Sequence, residues 1–125
     1  MNLKDRTNLL NDLCARIPYG IKCQCLGRVG TIRSIDTFGN TEVEGFSGSI
    51  VIDVSHVKPY LFPMSSMTKE QKIMIRALQD MGSSYYHLII DHYNEWHLDY
   101  RGFIEKGLAI DASGLNIYNY GEYRF

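Results

Sequence analysis

The sequence predicts an α+β protein, because its hydrophobic residues change their spacing along the chain. Between residues 21 and 63, β-branched and apolar residues fall in short runs separated by turn residues, as is typical of antiparallel strands. On either side, apolar residues recur every three or four positions, as in amphipathic helices. We expect one domain with an N-terminal helix over 1–20, a small SH3-like β-barrel or curled antiparallel sheet over 21–63, and a helical C-terminal part over 64–125 packed on it.

The size and composition of the chain fit one cytoplasmic domain. Its 125 residues and 14.4 kDa are enough to bury one hydrophobic core. The longest uncharged stretches, such as Met81 to Ile90, run for about ten residues, against about 20 for a membrane-spanning helix, so we expect no membrane segment. The charges within Met1 to Arg6 leave no apolar core for a secretory signal, which favours the cytoplasm.

The first predicted element is an amphipathic helix over residues 3–16. Asn2 is placed to cap its N-terminus. Pro18 and Gly20 end it, because the residue before a proline avoids helical geometry and glycine allows a sharp reversal. Its apolar positions are Leu3, Leu9, Leu10, Leu13 and Ile17.

Four short strands and their turns follow the helix. Glycine-containing turns separate them, which predicts hairpins joined in a meander. Alternation along the first strand places Cys23 and Cys25 on one face with Ile21, so we predict buried, unreactive thiols. With Cys14 the cysteines are odd in number and lack CxxC spacing, so we expect no disulfide framework, no metal site and no cofactor. The predicted strands are Ile21 to Leu26, Val29 to Ile35, Thr41 to Phe46 and Ser49 to Val54.

A fifth strand is predicted from Lys58 to Phe62, after a single helical turn at Ser55 to Val57. This order of elements is the one found in SH3-like barrels. Because proline cannot donate to a strand ladder, Pro59 and Pro63 predict that the fifth strand lies at an edge of the sheet.

The C-terminal part is predicted to be helical. Thr68 and Gln71 form a capping-box pair that opens a helix running to about Met81, with Gly82 as its C-terminal cap. Residues 85–90 fit either a helix or a strand, and we favour a helix from about Ile90 to His97. Two apolar stripes are predicted. Met67, Met74, Leu78 and Met81 share one face of the first helix, and Tyr86, Tyr93 and Trp96 form a stripe that we expect to be buried.

Histidines and acids near residue 90 raise the alternative of a metal-dependent enzyme. His87, Asp91 and Glu95 lie four apart and share one side of a helix, with His92 nearby. The two histidines are five apart, whereas helical zinc ligands of the HExxH type are four apart. A solvated helix face is therefore the favoured interpretation, and no catalytic residue is predicted.

Basic residues are unevenly distributed, which raises the alternative of a nucleic-acid-binding module. Residues 14–35 contain no acid, and a basic face of the β-barrel there could bind an anion. The net charge of −1 and pI near 6.4 lack the basic footprint usual in duplex-binding domains. The candidate nucleic-acid-binding residues are Arg16, Lys22, Arg28 and Arg33, with Tyr19 or Phe38 available for stacking on bases.

Aromatic residues concentrate towards the C-terminus. Tyrosines combine a large contact area with a polar tip and are enriched in binding hot spots. We therefore predict that the C-terminal tyrosines pack back on the domain and offer a partner-binding surface. These residues are Tyr118, Tyr120 and Tyr123.

Three segments of the chain carry a resemblance to a known family. They are Leu13 to Lys22, Lys58 to Thr68 (KPYL, then PMSSMT), and Asp99 to Ile110 (DYRG, then EKGLAI). In these segments the chain resembles a family of small uncharacterised proteins of gut bacteria and their prophages. The resemblance implies a phage or mobile-element context and no particular activity.

Small accessory proteins of mobile elements often bind host or phage macromolecules. Together with the missing catalytic set, this analogy favours a non-enzymatic protein-interaction module whose partner is a host or phage protein. Binding of nucleic acid through the basic face is the second expectation, and a metal-dependent enzyme is the third. The oligomeric state is left open by the sequence.

Overall fold

The computed structural model describes residues 1–118, in which three helices surround one sheet of six strands. The helices are α1 (Leu3–Arg16), α2 (Lys69–Asp80) and α3 (Tyr86–Glu95). The strands are β1 (Lys22–Cys25), β2 (Arg28–Ile35), β3 (Asn40–Glu44), β4 (Ser49–Asp53), β5 (Lys58–Leu61) and β6 (Ile110–Asp111).

The sheet is mixed and open, with the spatial order β4-β3-β2-β1-β5-β6. Strands β1 to β4 form the predicted antiparallel meander, β5 lies antiparallel to β1, and β6 lies parallel to β5. The α+β class is therefore confirmed. Of the two predicted forms of the β-rich part, the structure has the unclosed sheet, because β4 and β6 lie at opposite ends of the strand order.

The predicted edge position of β5 is wrong, because β5 lies between β1 and β6. It pairs with β1 through Lys58 and Pro59, and with β6 only from Tyr60 onwards. Pro59 therefore belongs to the part of β5 that has one neighbouring strand. Within residues 1–118, the strand at Pro59 has a neighbour on one side only, as it would at an edge of the sheet. An inner strand can therefore contain a proline at this position.

Helix α1 covers the sheet as its residue spacing predicts. The Asn2 side chain accepts a hydrogen bond from the Asp5 backbone N–H at 2.7 Å and caps the helix. Leu9 and Leu13 are fully buried in the hydrophobic core. Ile21, Cys23 and Ile32 from the sheet, and Phe103 from the segment after α3, belong to the same core.

The two C-terminal helices form a hairpin beside this core. Both halves of the capping box are present, with hydrogen bonds of 2.9 and 3.1 Å between Thr68 and Gln71. Ile75 of α2 and Ile89 of α3 are buried. Because α3 begins at Tyr86, residues 86–90 are helical and the predicted start at Ile90 is too late. Within residues 1–118, no helix is both long and apolar enough to cross a lipid bilayer.

The Tyr118 hydroxyl joins β1 to β5 at the end of their ladder. It accepts a hydrogen bond from the Lys22 backbone N–H at 3.1 Å and donates one to the Tyr60 carbonyl at 2.6 Å. The register of β1 and β5 places Lys22 opposite Tyr60, one position beyond the paired Cys23 and Pro59. The Tyr118 hydroxyl therefore replaces the next backbone hydrogen-bonded pair between β1 and β5.

Replacing Tyr118 with phenylalanine is expected to destabilise the protein by about 1–3 kcal/mol, the usual loss when buried polar groups lose their partner. The variant keeps the ring and its packing but leaves the Lys22 N–H and the Tyr60 carbonyl without the bridging hydroxyl. Urea unfolding followed by circular dichroism measures the change. Tyr86→Phe is the matched control, because Tyr86 is exposed. Equal stabilities of the two variants would contradict the bridging role.

Candidate functional site

The largest departure from the predicted packing is on α2, whose outer side is apolar and exposed. Ile73, Met74 and Met81 are 61%, 44% and 56% exposed. Ile73, Ala77 and Met81 lie four apart and so share one side of the helix, with Met74 next to them. We call these four residues the α2 patch.

In the predicted apolar stripe of α2, Met74 and Met81 are exposed. Ile75 provides the buried contact of the helix instead, and it lies on another side of α2 from Ile73. Apolar residues thus occupy two sides of a short helix, of which α3 covers only one. Tyr86, predicted to be buried, is 63% exposed at the start of α3.

Basic side chains border the α2 patch. Lys69, Lys72 and Arg76 are exposed and follow one another at three and four positions, which places them in one stripe beside Ile73. None of the three forms an ion pair with another residue of the described range 1–118. Asp80 lies one turn beyond Arg76. The exposed Glu70 lies one turn before Ile73 and Met74. The outer side of α2 therefore joins an apolar strip to a border of three basic and two acidic side chains.

The candidate nucleic-acid-binding residues do not form one basic face. Arg16 is fully buried, so it offers no surface to a phosphate. Arg33 is paired with Glu44, and the Lys22 ammonium donates to the Thr31 hydroxyl at 3.2 Å. Arg28 is exposed, with its guanidinium 5.8 Å from the centre of the Phe46 ring. Burial of Arg16 and the pairing of Arg33 with Glu44 therefore remove two of the four charges from a shared basic face.

Arg16 instead anchors the end of α1. Its guanidinium donates to both Asp12 oxygens, at 2.8 and 3.1 Å, and to the Leu98 carbonyl at 2.7 Å. The Asp12 carboxylate, which is also fully buried, accepts a further bond from Arg101 at 3.1 Å. Tyr100 lies between the two arginines, with guanidinium carbons 5.3 and 5.4 Å from its ring centre. The segment from Asp99 to Gly102 thus contributes Tyr100 and Arg101 to a structural network.

Of the three candidate partner-binding tyrosines, Tyr118 lies within the described residues. Tyr118 is 8% exposed and its hydroxyl lies between β1 and β5, so its side chain is part of the interior. Its ring stacks on His97 with centres 4.0 Å apart. Tyr120 and Tyr123 lie outside the described residues, and the partner surface predicted for them stays a prediction.

The histidines and acids of α3 are spread along the helix. His92 Nδ1 lies 3.3 Å from a Glu95 carboxylate oxygen and stacks on Trp96. His87, Asp91 and Glu95 are exposed. In the part of the chain that the structure describes, no three histidine, cysteine or acidic side chains come together as a metal-binding group.

The thiols of the first strand are held in their protonated form. Burial is the main reason that the pKa of Cys23 is raised to about 12, and burial also raises the pKa of Cys25. A protonated thiol is a poor nucleophile. These two cysteines therefore fit the predicted structural role, whereas Cys14 on α1 is exposed.

A cavity of about 300 Å³ lies between the start of α2 and the end of α3. Thr68 and Gln71 line it, and their polar groups already hydrogen-bond in the capping box. None of its described lining residues is ionisable, so they supply no general acid or base. The described lining consists of Phe62, Ser66, Thr68, Gln71, Trp96, Leu98 and Ser113.

Within residues 1–118, α2 thus carries an exposed apolar surface, the α2 patch. It combines methionine and isoleucine side chains with a border of three basic and two acidic side chains. Comparisons of the chain with protein-family models, with curated proteins and with solved structures found no match.

Proposed function

We propose that this chain is a non-enzymatic protein-interaction module that binds its partner through the α2 patch. The observation that carries the proposal is the exposure of Ile73, Met74 and Met81 on one side of a well-capped helix. Contiguous exposed apolar residues with polar borders are typical of protein interaction sites. Methionine suits such a surface because its flexible, polarisable side chain adapts to different shapes.

The partner is expected to present an apolar groove or helix face with acidic residues on one side. Burial of the α2 patch would supply most of the affinity, since apolar area removed from water is the main favourable term. Lys69, Lys72 and Arg76 would orient the partner and speed its association through complementary charge. The resemblance to small proteins of gut bacteria and their prophages supports a partner from the host cell or from a phage.

Capture of a partner by the purified chain tests the proposal. The double variant Ile73→Glu with Met81→Glu puts two charges into the α2 patch at exposed positions, where a change of side chain has little effect on stability. Because central apolar contacts dominate interface affinity, we expect at least a tenfold loss of capture. The measurement is quantitative mass spectrometry of proteins retained from host lysate.

Phe38→Ser is the matched control, because Phe38 is a large exposed apolar residue on the turn between β2 and β3, away from α2. This variant should retain the same partner as the unmodified chain. Retention of no specific protein by the unmodified chain, or equal capture by the double variant, would contradict the proposal. Circular dichroism of both variants verifies that they remain folded.

A further inference from the structure

Strand β4 forms an unguarded edge of the sheet. Among the described residues 1–118, it lies at the end of the strand order and has β3 as its one neighbouring strand. Its sequence, Ser49-Ile50-Val51-Ile52-Asp53, contains none of the prolines or lysines that usually protect an edge. The opposite edge, β6, is only two residues long, and a short strand is itself protection.

The hydrogen bonds flanking β4 show which of its backbone groups face outwards. Val54 N–H donates to the Gly39 carbonyl at 2.8 Å, and Gly45 N–H donates to the Gly48 carbonyl at 3.1 Å. These pairs lie just beyond the two ends of the β3–β4 register. In an antiparallel ladder, hydrogen-bonded pairs alternate with non-hydrogen-bonded pairs. Ile50 and Ile52 therefore bond to β3, and Ser49, Val51 and Asp53 direct their backbone groups away from the sheet.

The side chains of β4 are incompletely covered in the same region. Val51 is 69% exposed on the outer face of the sheet. Ile50 and Ile52 pack against the hydrophobic core but are only partly buried, because no strand of residues 1–118 lies beyond them. A further strand beside β4 would cover both isoleucines.

We propose that β4 pairs with β4 of a second copy of this chain, antiparallel and centred on Val51. In this arrangement Val51 lies opposite Val51 of the second copy, and Ser49 lies opposite Asp53. All three are residues whose backbone groups face outwards, so each pair exchanges both of its N–H···O bonds.

The side chains of β4 are self-complementary in this register. Ile50 lies opposite Ile52 of the second copy, which extends the core across the two-fold axis. Asp53 faces a serine, so no like charges oppose each other. The contact covers the exposed edge of β4 on both copies. Because the interface is two-fold symmetric, it forms a dimer and does not extend to further copies.

Val51→Pro is the sharpest test, because it removes a single outward-facing N–H. Proline is tolerated in an edge strand when its position does not donate to the ladder, so the monomer should keep its fold. The unmodified chain is expected to dimerise with increasing concentration in sedimentation velocity, and Val51→Pro to dimerise at least tenfold more weakly. Val51→Thr keeps both the N–H and the β-branched shape, and it should dimerise like the unmodified chain.

A monomeric unmodified chain up to hundreds of micromolar would overturn the proposal, as would an unchanged dimerisation constant in Val51→Pro. If circular dichroism shows that Val51→Pro is unfolded, Val51→Lys is used in its place. This variant keeps the backbone N–H but puts two ammonium groups opposite each other across the two-fold axis. Unchanged dimerisation of a folded Val51→Lys protein would likewise overturn the proposal. This surface is separate from the α2 patch, so Ile73→Glu with Met81→Glu should leave dimerisation intact and Val51→Pro should leave partner capture intact.

Discussion

Replacing Asp12 with alanine is expected to destabilise the protein by about 3–5 kcal/mol, the range for leaving a buried charge without its partner. Asp12 and Arg16 are both fully buried and joined by two hydrogen bonds. Without the carboxylate, the Arg16 guanidinium keeps, among residues 1–118, its bond to the Leu98 carbonyl and its contact with Tyr100. Its Nη1 is already a buried nitrogen without a hydrogen-bond partner in that described range. Equilibrium unfolding in urea measures the loss.

Two further variants identify the cause of that loss. Asp91→Ala removes an exposed carboxylate from α3 and is expected to change the free energy of unfolding by less than about 0.5 kcal/mol. The double variant Asp12→Ala with Arg16→Met removes both charges, and apolar replacement of a whole buried pair is often close to neutral. We therefore expect the double variant to be more stable than Asp12→Ala. A double variant no more stable than Asp12→Ala would show that the loss does not come from the unpaired charge of Arg16.

Acidification from pH 6.5 to 4.5 is expected to lower the free energy of unfolding by up to about 1.4 kcal/mol per pH unit through His97 alone. His97 is buried, and burial, followed by the charges of Arg16 and Lys22, lowers its pKa to about 3. The unfolded chain binds a proton at this histidine near pH 6.5, whereas the folded chain does so only near pH 3. The contribution of His97 to the free energy of unfolding is therefore fully present above pH 6.5 and decreases as the pH falls.

His97→Asn isolates this contribution. Asparagine does not titrate, and it tolerates the positive φ of 57° found at His97. Urea unfolding at several pH values should give a curve that is flatter between pH 6.5 and 4.5 than that of the unmodified protein. The Asp53 carboxyl interferes little, because hydrogen bonds from Ser55 and Arg6 hold its pKa below the usual range, so its contribution is lost only at lower pH. Parallel curves for the two proteins would contradict a low pKa of His97.

Elements whose signals are local were predicted well from the sequence. Asn2 and the Thr68–Gln71 pair mark helix starts through hydrogen bonds made within one turn, so their effect does not depend on distant residues. The strand meander likewise follows from alternation and turn residues. Residues 85–90, where local propensity left helix and strand open, belong mostly to α3, which contacts α2 and has Ile89 buried.

The candidate sites were predicted less well, because they depend on what lies beside each residue. Arg16 and Arg28 look alike in the sequence, yet one is paired within the core and the other is exposed. The exposed side of α2 had a signal that could have been used. Ile73, Ala77 and Met81 repeat every four residues on a different side of the helix from Ile75, and a hairpin of two helices covers only one side.

The sequence by itself determined the α+β class, the meander, the ends of α1 and the capped start of α2, because hydrophobic spacing and capping act over a few neighbouring residues. Only the tertiary structure decided that β5 lies inside the sheet, that Arg16 is buried against Asp12, and that α2 and β4 are left exposed. These features arise from contacts between residues far apart in the chain, such as Arg16 with Leu98 and Lys22 with Tyr118. The energy of such contacts depends on burial and on partners that no local pattern encodes.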